Sequence, residues 1–192
     1  MLAPWEQEQM TPRQRKIFAT CVANMEAETG KTLAEWVVIA QTCPETTVRE
    51  RMAWLDRELG IRTMRAHVLM AAAFPDSAPS PDEMAAELWK DAGQRALADA
   101  LVTAGQLSDD VIVAQRKGYT SLSRKVQFAA VRPVKGGVRI GLALPPETSA
   151  RLAARARSEP LQDRLKSVVT VTDAAQVDAE LRGLIRDAWA KG

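Results

Sequence analysis

The sequence predicts an α+β protein in which a small helical domain precedes a domain with a mainly antiparallel sheet. Helical spacing of apolar residues and helix-capping motifs fill residues 11–74. Alternation typical of strands is concentrated in residues 111–144, and helical spacing returns near the C-terminus. Helices, then strands, then a closing helix favour an α+β fold with helices packed on the apolar face of the sheet.

Four short helices are predicted before residue 75. Thr11 followed by proline marks the first start, and capping boxes beginning at Thr32 and Thr47 mark the next two. Thr63 is predicted to cap the fourth helix. Gly30 can take the left-handed conformation that ends the first helix, and Gly60 follows the third.

A proline-rich segment is predicted to separate the two domains. Residues 75–81 contain three prolines among small polar residues, which is typical of a semi-rigid linker. The predicted division is a helical domain over 1–74, the linker over 75–81, and an α+β domain over 82–192.

The α+β domain is predicted to be centred on four strands. These are Val111 to Arg116, Tyr119 to Ser123, Lys125 to Arg132, and Val138 to Leu144. A helix is predicted from about Glu147 through Arg157, and the β-branched residues 167–172 favour a further strand. Thr172 or Asp173 is predicted to cap the last helix.

Period-two alternation predicts one apolar and one basic face for the last two central strands. The apolar face is predicted to receive Val126, Phe128, Ala130, Val138, Ile140, Leu142 and Leu144. The other face is predicted to receive Lys125, Gln127, Ala129, Arg139, Gly141 and Ala143. This second face is expected to be a shallow, open and basic floor.

The positive charge of the chain is concentrated in the predicted sheet. Residues 111–144 contain seven basic and no acidic residues, whereas the whole chain has a net charge of +2. A local field of this kind favours anionic partners. The predicted anion- or nucleic-acid-binding residues are Arg116, Lys117, Tyr119, Arg124, Lys125 and Arg139.

Lys117 and Tyr119 lie two residues apart, so on a strand they would share a face, and the tyrosine ring could stack a base. The alternative is that Tyr119 packs at a sheet edge while the cations protect that edge from aggregation.

No catalytic residues, metal ligands or cofactors are predicted. His67 is the one histidine, which excludes most triads and multi-histidine metal sites. Cys21 and Cys43 are isolated in the sequence, so a reducing cytoplasm is the simplest location, although a disulfide between them stays geometrically possible. The absence of a run of about 18 apolar residues argues against a membrane span.

Two sequence blocks resemble bacterial families. The first block is similar to a helical domain of unknown function, number 4287 in its series. It consists of Thr29-Gly30-Lys31-Thr32-Leu33 with Trp36, followed by Arg51, Trp54-Leu55 and Leu59-Gly60. The second block is similar to domain of unknown function 5655. It consists of Lys117, Tyr119, Phe128-Ala129, the Val138–Leu144 strand and Val177-Asp178 with Glu180-Leu181. The second resemblance implies a distantly frataxin-like α+β sandwich, and neither implies a reaction.

The leading functional hypothesis is a non-enzymatic cytoplasmic binding module that engages nucleic acid or an acidic protein segment through its basic sheet face. An alternative is a small-molecule or anion-binding protein, or an enzyme, with a site between the domains near Lys117, Tyr119 and His67. A third is a protein–protein adaptor without an anion site. The sequence leaves the partner and the oligomeric state open.

Overall fold

The computed structural model describes residues 9–77 and 79–192. Residues 1–8, at the start of the predicted helical domain, and Ala78, within the predicted linker, lie outside the described residues. The chain divides into two compact units, the first ending at Ser80 and the second beginning at Pro81. The α+β fold class is confirmed, because helices come first and a sheet with further helices follows.

The first unit is helical. Among its described residues, the α-helices are α1 (Pro12–Thr29), α2 (Leu33–Ala40), α3 (Val48–Leu59) and α4 (Thr63–Ala73). The side chains of Thr11, Thr32 and Thr47 cap the first three helices, as predicted, and Gly60 takes the left-handed conformation after α3. Pro75–Ser77 then form one turn of 3-10 helix.

The predicted cap at Thr63 is wrong. Arg62 occupies the N-cap position of α4 without a side-chain hydrogen bond to the helix, and Thr63 is the first helical residue. Thr63 has a φ of 52°, a conformation that a β-branched residue adopts at a cost. The chain therefore enters α4 through a strained residue instead of a side-chain cap.

The second unit begins with two helices and continues as a sheet. The helices are α5 (Pro81–Leu88) and α6 (Ala92–Gly105). The strands are β1 (Ile112–Gln115), β2 (Thr120–Ser123), β3 (Gln127–Val134), β4 (Gly137–Leu142), β5 (Ala153–Ala154) and β6 (Ser167–Val171). The last helix is α7 (Ala179–Ala190).

The described strands form one sheet in the order β1-β2-β3-β4-β6-β5, with every neighbouring pair antiparallel. One face of this sheet packs against α6 and α7. Leu101 of α6 and Ile185 of α7 are fully buried there with Leu122, Ile140 and Leu142 of the sheet. This helix-covered face forms the main core of the unit.

The helix predicted from Glu147 through Arg157 is wrong. Pro146–Thr148 form a single 3-10 turn, and Ala153–Ala154 pair with β6 as the edge strand β5. Pairing with a strand distant in sequence overrides the local helical preference of the alanines.

The start of the last helix also differs from the prediction. Asp173 caps a separate 3-10 turn, Ala174–Gln176, and α7 begins six residues after Asp173 with Asp178 as its N-cap. Both aspartates accept a hydrogen bond from a backbone N–H of the turn or helix that they precede. The chain thus uses the same type of cap twice in succession.

The predicted faces are correct for β4 and partly wrong for β3. Val138, Ile140 and Leu142 point into the main core as predicted, together with Leu144 just beyond β4. In β3, however, Ala129 pairs with Leu142 and joins the main core, and Ala130 lies on the opposite face. Ala129 and Ala130 therefore lie on the opposite faces of the sheet from those predicted.

A β-bulge causes this change of face. Leu122 pairs with Ala129 while the next residue, Ser123, pairs with Gln127, so Phe128 is the extra residue on β3. Phe128 and Ala129 consequently both belong to the main core cluster. Alternation resumes after the bulge with its phase reversed.

Candidate functional site

The second face of the sheet, opposite α6 and α7, carries a row of basic residues near one end. The register pairs Arg132 of β3 with Arg139 of β4, and Arg139 with Thr170 of β6. The backbone N–H of Arg116 donates to the carbonyl of Tyr119 at 2.9 Å, which extends the β1–β2 pairing by one residue. Continuing the β2–β3 register by one residue places Tyr119 opposite Arg132. Arg116, Tyr119, Arg132 and Arg139 thus lie on four neighbouring strands, about 4.8 Å apart from strand to strand.

Two lysines lie in turns at the same end of the sheet. Lys117 is in the turn that joins β1 to β2, and Lys135 is in the turn that joins β3 to β4. Because β1 and β3 run in the same direction, both turns lie at the same end. We call Arg116, Lys117, Arg132, Lys135 and Arg139 the turn-end cluster.

The structure separates the six predicted site residues into two groups. Arg116, Lys117, Tyr119 and Arg139 lie at the turn end, whereas Arg124 and Lys125 follow β2 at the opposite end of the sheet. Four residues of strand, roughly 13 Å, lie between the two ends. Lys117 lies in the turn and not on a strand, so the condition under which it would share a face with Tyr119 is not met.

Arg124 is held by contacts within the protein. Its guanidinium donates to the carboxylate of Asp110 and lies 4.7 Å from the ring centroid of Trp189. Hydrogen bonds from Ser108 and Arg124 lower the pKa of Asp110, so this carboxylate stays ionised. These contacts fix the β2–β3 connection to α7 and give Arg124 a structural role.

The second face is covered in part, which corrects the expectation of an open floor. Leu161 and Leu165, from the loop over residues 155–166, are buried against Ala130 and Val168. The ring of Tyr119 is half-buried and packs against this small cluster. A Cβ atom on Gly141 would lie 2.7 Å from a methyl group of Leu161, so the glycine permits the close approach of the loop.

Arg155 shapes this covering loop. Its Nη1 atom donates to the carbonyls of Glu159 at 3.1 Å and Leu161 at 3.3 Å, and its Nη2 atom donates to Asp163 at 2.7 Å. The side chain of Arg155 is 10% exposed. It therefore acts as a buried clamp that turns Glu159 and Leu161 toward the sheet.

Glu159 brings a carboxylate to the turn-end cluster. Its side chain is 7% exposed, and its two oxygens accept hydrogen bonds from Arg132 and from Arg139, the second at 2.8 Å. Burial raises the pKa of Glu159, but the hydrogen bonds and charges of the two arginines outweigh burial and lower it overall. Glu159 is therefore ionised at neutral pH.

The cluster keeps an excess of positive charge after this pairing. Glu159 pairs with two of the five cluster residues, Arg132 and Arg139, and within residues 9–77 and 79–192 the other three have no ion pair. Arg132 and Arg139 remain 25% and 32% exposed, and Lys117 and Lys135 are exposed. The Nε atom of Arg132 is buried without a hydrogen-bond partner among the described residues.

A hollow of about 480 Å³ lies beside the row, next to the edge strand β5. Its lining includes Arg139 and Thr170 from the row, Arg151 and Gln176, and the two alanines of β5. Arg151 already donates to both oxygens of Asp178, at 2.6 and 2.8 Å, and to the carbonyl of Gln176. Arg139 thus belongs both to the lining of the hollow and to the turn-end cluster.

Other residues singled out in the sequence belong to the first unit. His67 is exposed on α4, and Cys21 and Cys43 are half-buried free cysteines in the first unit. No group of three or more potential metal ligands occurs in the described parts of the chain. Within those same parts, none of the helices is both long enough and apolar enough to cross a membrane.

Sequence reasoning missed Glu159 and left Arg132 out of the site. Continuing the predicted alternation of β3 would place Arg132 on the apolar face, and the bulge reverses that alternation. Glu159 lies 20 residues beyond Arg139 in a loop predicted as helix or left unassigned, so no local pattern connects it with the sheet.

The resemblances noted in the sequence are confirmed by family models. Residues 17–72 match the model described as Domain of unknown function (DUF4287). Comparison with curated proteins and with solved structures gave no match, and the frataxin-like likeness stays a prediction. Residues 85–191, more than half of the chain, match the model described as Domain of unknown function (DUF5655), and the chain belongs to that family.

Proposed function

We propose that the second unit is a non-enzymatic binding module that engages an acidic segment of another protein through the turn-end cluster. The observation that carries this proposal is the pairing of one buried carboxylate, Glu159, with two arginines that remain partly exposed. Arginine binds carboxylates through paired N–H donors, and Glu159 occupies only part of the donors of Arg132 and Arg139. Apart from the buried Nε atom of Arg132, the remaining donors and the lysines of the two turns are available to carboxylates of a partner.

The position of Tyr119 favours an acidic protein segment over nucleic acid. Binding of single strands without sequence preference combines cationic grooves with aromatic rings that stack on bases. The Tyr119 ring packs against the cluster of Ala130, Leu161, Leu165 and Val168, which supports a structural role for it. A cytoplasmic location is part of this proposal, and the free thiols of Cys21 and Cys43 are in keeping with a reducing compartment.

The test removes the cluster charges that have no ion pair with the part of the chain that the structure describes. Arg116, Lys117 and Lys135 are replaced together by glutamine, and binding of a fluorescent oligoglutamate peptide is measured by polarisation at low and physiological salt. We expect a loss of about tenfold at low salt, from one half-buried and two exposed cations that contribute about 0.5 kcal/mol each. Because the contacts are ionic, the loss should shrink as salt is added.

A matched control removes three exposed charges elsewhere in the same unit, at Lys125, Lys166 and Arg186. This variant should bind within about twofold of wild type, because its charges lie away from the turn end. Equal losses in the two variants would show a non-specific charge effect and contradict the proposal. Tighter binding of single-stranded DNA than of oligoglutamate, with a steeper salt dependence, would instead identify nucleic acid as the partner.

A further inference from the structure

A second candidate site lies wholly within the helical unit. A hollow of about 550 Å³ opens between the first half of α1 and the start of α4. Its lining includes Arg13, Lys16, Ile17, Cys21, Met64 and Arg65. This volume is within the range of about 300–1,000 Å³ that is usual for small-molecule sites.

The wall of this hollow exposes large apolar side chains. Ile17 is 45% exposed and Met64 is 49% exposed, although most large apolar residues of this unit are buried or half-buried. Between them, the half-buried Cys21 contributes a thiol whose pKa is raised by burial and only partly lowered by Arg65. A thiol that stays protonated behaves as a small apolar group. The hollow therefore offers an apolar surface to a ligand.

The rim of the hollow is cationic in a way that does not favour the helix. Arg13 and Lys16 lie three residues apart on α1, where like charges repel, and the first turn of α1 contains no acidic residue. Cations at the N-terminal end of a helix also oppose its dipole. Neither residue has an ion pair in the described ranges, whereas Arg65 pairs with Glu28 at 2.7 Å and is 35% exposed.

We propose that this hollow binds a small amphipathic anion, with an acidic head group at Arg13, Lys16 and Arg65 and an apolar body against Ile17 and Met64. An anionic head group would relieve the repulsion between the two α1 cations and their unfavourable position on the helix. The apolar body would cover the two exposed side chains. This site is independent of the turn-end cluster, so either proposal can fail without the other.

The test measures binding of octanoate to the full chain by calorimetry. Acetate is measured for comparison because it carries the head group alone, and 1-octanol because it carries the apolar body without the charge. Octanoate should bind saturably and more tightly than either fragment, because it uses both the cationic rim and the apolar wall. Lys16→Glu should weaken octanoate at least about fivefold, since one attractive charge is replaced by a repulsive one. Met64→Ser should weaken octanoate while leaving acetate unchanged.

The control is Arg49→Glu, which makes the same change of charge on an exposed residue of α3 outside the hollow. It should bind octanoate within about twofold of wild type. Lys16→Glu is expected to keep or raise the unfolding temperature, because an acidic residue near the start of α1 suits the helix dipole. Failure to bind octanoate, equal losses in the two glutamate variants, or octanol binding as tightly as octanoate would each overturn the proposal. Binding of an acidic amphipathic peptide without binding of octanoate would overturn it as well, since the site would then serve a protein.

Discussion

Replacing Glu159 by glutamine separates a structural role of the turn-end cluster from a binding role. The substitution keeps the size of the side chain and one hydrogen-bond acceptor but removes the negative charge between Arg132 and Arg139. Removing one partner of a fully buried ion pair costs about 3–5 kcal/mol. Here the two arginines are 25% and 32% exposed and can be hydrated, so we expect a loss of about 1–2 kcal/mol in the free energy of unfolding.

The same substitution should improve binding of an acidic peptide. In the native protein Glu159 competes with the partner for the same arginines and repels its carboxylates. At a separation of about 6 Å this repulsion is worth about 1 kcal/mol at the edge of the protein, or a factor of about five in affinity. Glu159→Gln is therefore expected to be less stable than wild type and to bind more tightly.

Urea unfolding followed by tryptophan fluorescence gives the stability, and polarisation of labelled oligoglutamate gives the affinity. Asp163→Asn is the control, because Asp163 is also a loop carboxylate paired with an arginine but its side chain is 96% exposed. It should change stability by less than about 0.5 kcal/mol and leave affinity unchanged. A folded Glu159→Gln protein that binds oligoglutamate no better than wild type would refute the proposed use of these arginines.

Three further predictions concern pH and the backbone. The pKa of Glu159 is lower in the folded protein than in the unfolded chain, so ionised Glu159 stabilises the fold above about pH 4.3. This stabilisation is lost as the pH falls through the lower folded pKa. Urea titrations in acid should therefore show a smaller difference in unfolding free energy between wild type and Glu159→Gln. Gly137→Ala should lower the free energy of unfolding by about 2–3 kcal/mol, because the added Cβ would meet a backbone carbonyl of β6. Gly141→Ala should lower it by about 1 kcal/mol, because its Cβ would meet only the end of a leucine side chain. Equal losses on urea unfolding would contradict this explanation. Thr63→Gly should raise the unfolding free energy by about 0.5–1 kcal/mol, because glycine relieves the positive φ at a smaller entropic cost, and a lower unfolding temperature would contradict it.

Local sequence signals predicted the helical unit well because its boundaries are set within a few residues. Thr11, Thr32 and Thr47 each bond to a backbone N–H three residues away, and such contacts can be inferred from spacing alone. Thr63 is also a threonine at the start of a helix, but its backbone conformation differs from that of the other three. Its positive φ depends on how the chain leaves Gly60, and spacing carries no information about that angle.

The candidate site was harder to predict because its decisive contacts are distant in the sequence. The bulge at Phe128 depends on pairing with β2 and reverses the faces of every later residue in β3. That reversal moves Arg132 onto the same face as Arg139. Glu159 then reaches both arginines from a loop whose path depends on Arg155 and on β5 pairing, neither of which follows from local periodicity.

The contacts of each arginine distinguish the structural cations from those available to a partner. Arg155 binds two loop carbonyls and a carboxylate, and Arg124 binds Asp110 and covers Trp189, so both would lose native contacts if an external anion bound them. Arg132 and Arg139 share one carboxylate, which leaves guanidinium donors that water or a partner must satisfy. The number of positive charges in the basic stretch is therefore a poor guide to the strength of binding. Arg132 and Arg139 keep donors for a partner whereas the guanidinium of Arg124 is engaged, so substitutions at the turn end should alter anion binding far more than the same substitutions near Arg124.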